Sequence, residues 1–464
     1  MHMERRNFLA AGGASVLGSL LASCGGGSST DLAQSEQEGS GEGSSTPAPS
    51  PSPSPAPAPA PSGPAKARVL VVGGGMAGAT VAKYLRLWGD SIEVTLVEPS
   101  ATYTSCILSS LVLTGQRTLS SLQFSYSTLA ASYGVIVKQD TVTGIEPGPS
   151  SVTVTLANGG RQAPFDRVVL APGIQFDDVP GLGAADTLKM PHAWKAGDQT
   201  TALAAQLQAM AAGDTVVLTV PKTPYRCPPG PYERACLLAD WLSKNKRGSK
   251  LLVLDANPGF VTEADNFGNA FSNRYAGIVE YITNAEVQSA DAATLSLTTT
   301  MGTFSRQNSK IGVVNLIPTQ RAGSLLATAG LNNATNGRFG GVNVLSYAST
   351  VPGADRVHII GDASATTQPK AGHIANQEAK VCADAISRLL TGGQPDPGPV
   401  TNSSCYSTIT MQEASWLHAV FQYDGASSSM VAQPAASGAS VGWSSDGFKD
   451  MNTWFRALMA DTFA

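Results

Sequence analysis

Apolar runs broken by glycine turns organise this chain. Lys66–Ala67–Arg68–Val69–Leu70–Val71–Val72 ends in consecutive apolar residues, the pattern of a strand covered on both faces. It runs into Gly73–Gly74–Gly75–Met76–Ala77–Gly78, and Ala79 to Trp88 then reads as a helix. A second strand follows at Ile92–Glu93–Val94–Thr95–Leu96–Val97. The same order returns downstream: a strand over Asp214 to Val220, a helix from about Tyr232 to Lys244, and a strand over Lys250 to Asp255. Further buried strands are predicted at Asp166–Leu170 and Val357–Ile360, and a helix over Ala375–Leu390. Strands alternating with helices predict parallel sheets, so the chain is α/β with two Rossmann-like units.

The first 64 residues carry a different pattern. Arg5–Arg6–Asn7–Phe8–Leu9 resembles a twin-arginine export signal, followed by a weakly apolar stretch to Leu21. Leu21–Ala22–Ser23–Cys24 resembles a lipoprotein box, which makes Cys24 the expected acylated N-terminus of a periplasmic, lipid-anchored protein. Residues 25–65 are rich in Gly, Ser and Pro and cannot bury a core. Their alternating prolines predict an extended tether of ~3.1 Å per residue. The expected organisation is a signal over 1–24, a linker over 25–65, a first Rossmann-like, dinucleotide-binding domain over 66–185 and 311–395, a second Rossmann-like domain over 186–310, and a C-terminal domain over 396–464.

At 464 residues the chain has room for more than one core. A net charge of −4 gives no basis for nucleic-acid binding. Six cysteines are too few for a disulfide scaffold of this size, so each is read separately. No Cys-x-x-Cys-His occurs, so the chain attaches no c-type haem itself, and no metal site is assigned.

The glycine turn has a chemical purpose. Gly73 permits the tight turn, Gly75 lets the backbone approach a pyrophosphate at the helix N-terminus, and Gly78 allows close helix–strand packing. Glu98 closes the next strand ~20 residues on, where a ribose hydroxyl needs an acceptor. The segment ending Ala171–Pro172–Gly173 resembles the second strand and turn of flavoproteins. Gly361–Asp362–Ala363 resembles the turn whose Asp reaches the flavin ribityl chain. Pro369–Lys370–Ala371–Gly372–His373 then opens a helix whose dipole would favour an anionic reduced flavin. The bound dinucleotide is therefore expected to be FAD, held by Gly73, Gly75, Gly78, Glu98, Gly173, Asp362, Lys370 and Gly372. His373 reads as a structural donor at a helix start.

The second unit lacks such a turn. After Val220 the chain reads Pro221–Lys222–Thr223–Pro224–Tyr225–Arg226–Cys227–Pro228–Pro229–Gly230–Pro231. Prolines remove the backbone N–H groups that would cradle a nicotinamide nucleotide's phosphates. Cys227 is a candidate redox thiol, Lys222 and Arg226 can supply positive charge, and Glu233 can accept a proton.

These pieces converge. The Gly73–Gly78 turn, Cys227–Pro–Pro–Gly–Pro–Tyr–Glu–Arg, Pro369–Lys–Ala–Gly–His and Asn402–Ser–Ser–Cys405–Tyr–Ser resemble the flavoprotein subunit of flavocytochrome c sulfide dehydrogenase, from about Ala67 to Ala464. That resemblance implies a glutathione-reductase-like fold with a C-terminal α+β interface-type domain. It implies a redox-active disulfide between Cys227 and Cys405, opened by sulfide, whose electrons reach FAD and then a separate c-type cytochrome. It also implies covalent FAD through Cys106. Cys236 and Cys382, each within a predicted helix, read as buried core residues. Trp416, Trp443 and Trp454 serve the core, the cofactor pocket or the partner interface. A glycine-rich Gly337–Val342, an Ala/Ser-rich tail and the lipoprotein tether depart from the family pattern. The same cysteines suit another thiol, persulfide or polysulfide substrate, and a non-catalytic flavin-binding lipoprotein is the remaining alternative.

Overall fold

The computed structural model describes residues 64–464 apart from Ala163. The expected export signal, Cys24 and nearly all of the tether lie outside the described residues. In chain order the elements that build the site are β1 (Ala67–Val72), α1 (Met76–Trp88), β2 (Ile92–Val97), β3 (Arg167–Leu170), β4 (Thr215–Val220), α2 (Gly230–Asn245), β5 (Lys250–Asp255), β6 (Val357–Ile359), α3 (Gly372–Leu390), β7 (Val400–Thr408), β8 (Ala414–Asp424) and α4 (Ser445–Phe463).

The central sheet has eight strands, and β6, β3, β1 and β2 lie side by side and parallel at its middle, continued by Ile136–Lys138. Val69 and Val71 are buried on one face with α1 and α3, and Leu70 and Val168 on the other. Each such aliphatic side chain removed from water contributes about 1.5–3 kcal/mol. Helix α1 begins at Met76, inside the glycine turn and earlier than predicted, because Met76 and Ala77 are themselves buried against the sheet. Helices α2 and α3 likewise start two or three residues early, at Gly230 and Gly372.

A second, four-stranded parallel sheet places β4 between β5 and Ile311–Asn315. Its core joins Val216, Leu218, Leu251 and Val253 to Cys236, Leu238 and Leu242 of α2. The two Rossmann-like layers are thus built as the hydrophobic pattern requires. Cys236 and Cys382 are fully buried, as small apolar side chains in helices.

The C-terminal portion is an antiparallel β7–β8 hairpin followed by α4. The Ser444 hydroxyl caps α4 by accepting from Gly447 N at 3.0 Å. Helix α4 then packs on the first unit: Tyr84 donates to Asp461 at 2.6 Å, and Phe463 stacks on Tyr103 at 5.0 Å. No helix of the described residues is long and apolar enough to cross a membrane.

Candidate functional site

In a parallel sheet, ligands gather beyond the carboxyl ends of the strands. Here β1 ends at Gly73, β2 at Glu98, β3 before Gly173 and β6 before Asp362, and all four residues line one cavity of about 810 Å³. Gly73 adopts φ +94°, and a Cβ there would meet Ala171 O at 2.4 Å. A Cβ on Gly78 would meet Gly73 O at 1.8 Å, so this glycine sits beneath the turn and serves packing rather than the cavity wall. A Cβ on Gly75 would instead project toward the cavity, with only Tyr103 nearby at 3.8 Å. Glu98 accepts from Gly74 N at 2.8 Å and Ser100 N at 2.9 Å, which fixes its carboxylate at the cavity rim.

Two helix N-termini open onto this space without a side-chain cap. Gly75 precedes α1 and Ala371 precedes α3, and both residues line the cavity. Asp362 Oδ1 is buried with no hydrogen-bond partner among the described residues, an acceptor waiting for a donor. A cradle free of Cβ atoms, two uncapped dipole ends and an orphaned carboxylate oxygen together suit a dinucleotide with a polyhydroxylated linker. The residues present therefore fit FAD.

The second unit contributes the opposite wall. Cys227 sits at φ +59°, and its N–H donates to Lys370 O at 2.7 Å while its carbonyl accepts from Gly230 N at 2.9 Å. Arg226 is held by its own N–H to Gln320 at 2.8 Å and by its guanidinium to the Trp194 carbonyl. From β7 come Ser404, Cys405 and Tyr406; from α2, Glu233; and from the loop before Asp198, Trp194 and Lys195. Cys106 lines the same cavity. The fold thus brings Cys227, Cys405, Glu233, Cys106 and the FAD-cradle residues around one space. All five described cysteines are free thiols in the structure, so Cys227 and Cys405 are unbonded in it.

Burial dominates the electrostatics. It pushes the Cys227 thiol up, the charges of Glu233 and Cys405 add to this, and Arg226 opposes them. Cys405 is pushed up to about 12 by burial and by the charges of Glu263 and Glu233. Glu233 rises to about 7 through burial, moderated by the Thr408 hydroxyl, which donates to it at 3.1 Å. A carboxyl poised near neutrality beside a thiol is suited to take and return a proton. His373 accepts at Nδ1 from Ser404 N at 3.0 Å and from Trp454 Nε1 at 3.4 Å, so its own proton resides on Nε2. Burial lowers its basicity, and the bonds it makes are as an acceptor, where the sequence suggests a donor.

Two expected positions need correction. Lys222 is remote from the thiol: it is exposed and pairs with Glu286 at 3.3 Å. The Lys370 ammonium leaves the cofactor cavity, donates to Ser364 O at 2.6 Å and lies over the Phe339 ring at 3.9 Å. What Lys370 supplies to the site is its carbonyl, at Cys227. The sequence reading missed Trp194 and Lys195, which sit in a loop that only tertiary packing carries to the cavity, and Tyr103, on the short strand Thr102–Thr104.

The turn into α2 offers few free backbone donors. At the entry to α2, Pro231 has no N–H and Gly230 N is spent on Cys227. Asp255, the acid ending β5, accepts from Tyr232 and Tyr281, both at 2.7 Å, and from Asn257. Among the described residues no group of three or more His, Cys, Asp or Glu side chains is placed to hold a metal ion.

Such a fold and cavity define an FAD-dependent oxidoreductase of the pyridine nucleotide-disulphide oxidoreductase type, whose family model matches residues 67–217. Models described as the central part of the sulfide dehydrogenase [flavocytochrome c] flavoprotein chain and as the flavocytochrome c sulphide dehydrogenase flavin-binding domain match residues 200–318 and 397–463. The sulfide dehydrogenase [flavocytochrome c] flavoprotein chain of Chlorobaculum thiosulfatiphilum is 56% identical over 45 residues, covering 10% of this chain and 94% of that sequence. The chain belongs to the flavocytochrome c sulfide dehydrogenase flavoprotein family. Among solved structures, the sulfide:quinone oxidoreductase of Aquifex aeolicus superimposes with a TM-score of 0.70 at 15% identity, over 85% of this chain and 91% of that one. The NAD-dependent persulfide reductase of A. fulgidus gives a TM-score of 0.55 at 15% identity, over 85% and 77%. Both show the shared fold.

Proposed function

We propose that the protein oxidises sulfide through a reversible Cys227–Cys405 disulfide beside its FAD and passes the electrons to a separate c-type cytochrome. The observation that carries this reading is the convergence of Cys227 and Glu233 with Cys405, from two distant parts of the chain, on the cavity that fits FAD. Family membership supports both the sulfur substrate and the haem partner.

In the proposed cycle hydrosulfide attacks one sulfur of the disulfide. The S–S bond breaks, one cysteine keeps the incoming sulfur as a persulfide, and the other leaves as a thiolate. Glu233 takes the proton released at the Cys227 side and returns it when the thiol must be neutral. Arg226 favours the anionic sulfur electrostatically. FAD, when bound, accepts electrons in pairs and releases them singly, which joins two-electron sulfur chemistry to one-electron haem chemistry. Asp362 and the first turn of α1 would hold its linker and phosphates, and the N-terminus of α3 would face its ring system. Cys106 is proposed to tether the cofactor covalently.

Export and lipid anchoring through Arg5–Arg6 and Cys24 are proposed on the sequence alone, and the mass of the mature N-terminal peptide tests them. For the main reading, the purified protein should reduce added cytochrome c with sulfide and fail to do so with NADH. Cytochrome reduction driven by an organic thiol or polysulfide, with none by sulfide, would replace the substrate assignment.

A further inference from the structure

Gly230, the first residue of α2, has no room for a side chain. A Cβ there would lie 2.8 Å from Cys227 Sγ and 2.8 Å from Trp194 Cη2, with Trp194 Cζ2 at 3.2 Å. The thiol and the outer edge of the indole therefore close on one point from two sides, and the absent Cβ is what lets them do so. Trp194 is 5% exposed, and it lines the cavity that fits FAD together with Cys227, Gly230 and Glu233.

The indole is held in that place by several bonds. Its Nε1 donates to Arg226 O at 3.2 Å, and the Arg226 guanidinium donates back to the Trp194 carbonyl. The two residues form a reciprocal clamp between the loop and the thiol turn, one position before Cys227. Trp194 N donates to His192 Nδ1 at 2.9 Å, and the Arg234 guanidinium lies over the indole at 4.7 Å. Arg234 is 1% exposed, and it donates to His192 O at 3.1 Å, Ala193 O at 2.9 Å and Asn315 Oδ1 at 2.9 Å. Asn315 in turn donates to Pro191 O at 2.8 Å and His192 O at 2.7 Å. Moving the loop would strip acceptors from a buried cation, so the loop is fixed where it stands.

We propose that Trp194 is a specificity-determining residue: its indole edge confines the space at the Cys227 sulfur to small inorganic sulfur nucleophiles and keeps out organic thiols of the size of glutathione. A thiol carrying a peptide-sized chain would need volume that the ring already fills. The ring cannot swing aside without breaking its bond to Arg226. Hydrosulfide needs no such volume. This inference rests on the dithiol reading above.

The test measures size discrimination at the thiol itself, without sulfide. Reduced holoenzyme is labelled with iodoacetamide and, in parallel, with the bulkier monobromobimane. Rates at the Cys227 peptide are read by mass spectrometry, relative to the same reagents with free glutathione. On that scale wild type should react with the bimane at least about ten-fold more slowly than with iodoacetamide, the discrimination expected of a filled pocket. In Trp194→Ala that deficit should shrink about ten-fold, while the iodoacetamide rate changes little. Cys236, fully buried on the same helix as Gly230, should stay unlabelled by both reagents, which a general loosening of the fold would not allow. If Trp194→Ala does label Cys236, Trp194→Phe decides, since it withdraws the indole edge and keeps a ring beneath Arg234. No bimane deficit in wild type, or a deficit unchanged in the variant that protects Cys236, overturns the assignment. Failure of the sulfide reading would appear separately, as no flavin bleaching by sulfide in wild type with this labelling pattern intact.

Discussion

The backbone N–H of Cys227 donates to the carbonyl of Lys370 at 2.7 Å. This bond ties the thiol-bearing turn of the second unit to the segment that leads into α3 in the first. The proline-rich turn is thereby fixed at the wall of the cavity that fits FAD, and the thiol's position follows from backbone contacts that survive side-chain substitution.

The dithiol should close under oxidising conditions. Non-reducing peptide mapping of aerobically purified protein should recover the Cys227 peptide linked to the Cys405 peptide, and mild reduction should free both. Cys236 and Cys382 should resist alkylation until the protein unfolds, because both are fully buried.

Glu233 should shape the pH dependence. With its carboxyl near 7, it is protonated below that pH and ionised above it, so sulfide-driven flavin reduction should rise through neutrality and level off. Glu233→Gln should slow reduction about 10²-fold and leave only the step that hydrosulfide's own ionisation produces. Stability should run the other way. A folded-state pKa raised from 4.5 contributes stability that is fully present below 4.5 and lost as pH rises through about 7. Melting curves across this window should fall more steeply for wild type than for Glu233→Gln.

The cofactor cradle separates binding from folding. Gly75→Leu should fold but lose FAD by about a hundred-fold or more in affinity, because the side chain would enter the cavity. Gly78→Ala should lower the melting temperature as well, since its Cβ would overlap the Gly73 carbonyl. Flavin content and thermal unfolding measured together distinguish the two.

Cys106 should carry any covalent link. Acid precipitation should retain flavin colour in wild type and release it in Cys106→Ser, with the dithiol peptides unchanged.

The strand-end residues were legible in the sequence because apolar runs fix where a strand stops. Gly73, Glu98, Gly173 and Asp362 stand at such ends, and their resemblance to flavoprotein turns marked them further. The thiol turn stood out in the sequence because prolines follow the strand where a glycine-rich turn is usual. Side-chain direction in loops was not legible. Lys222 and Lys370 carry the right charge near the right motifs, yet one pairs with Glu286 and the other lies on Phe339. Trp194 and Lys195 arrive at the cavity from an irregular segment, and no local period announces them.

The most direct measurement is an anaerobic titration of the holoenzyme, following flavin absorbance with sulfide and, separately, with NADH, in wild type and Cys227→Ser. Bleaching by sulfide in wild type, lost in Cys227→Ser and never produced by NADH, is the predicted result. Bleaching by NADH, or sulfide bleaching that survives loss of Cys227, would contradict the account.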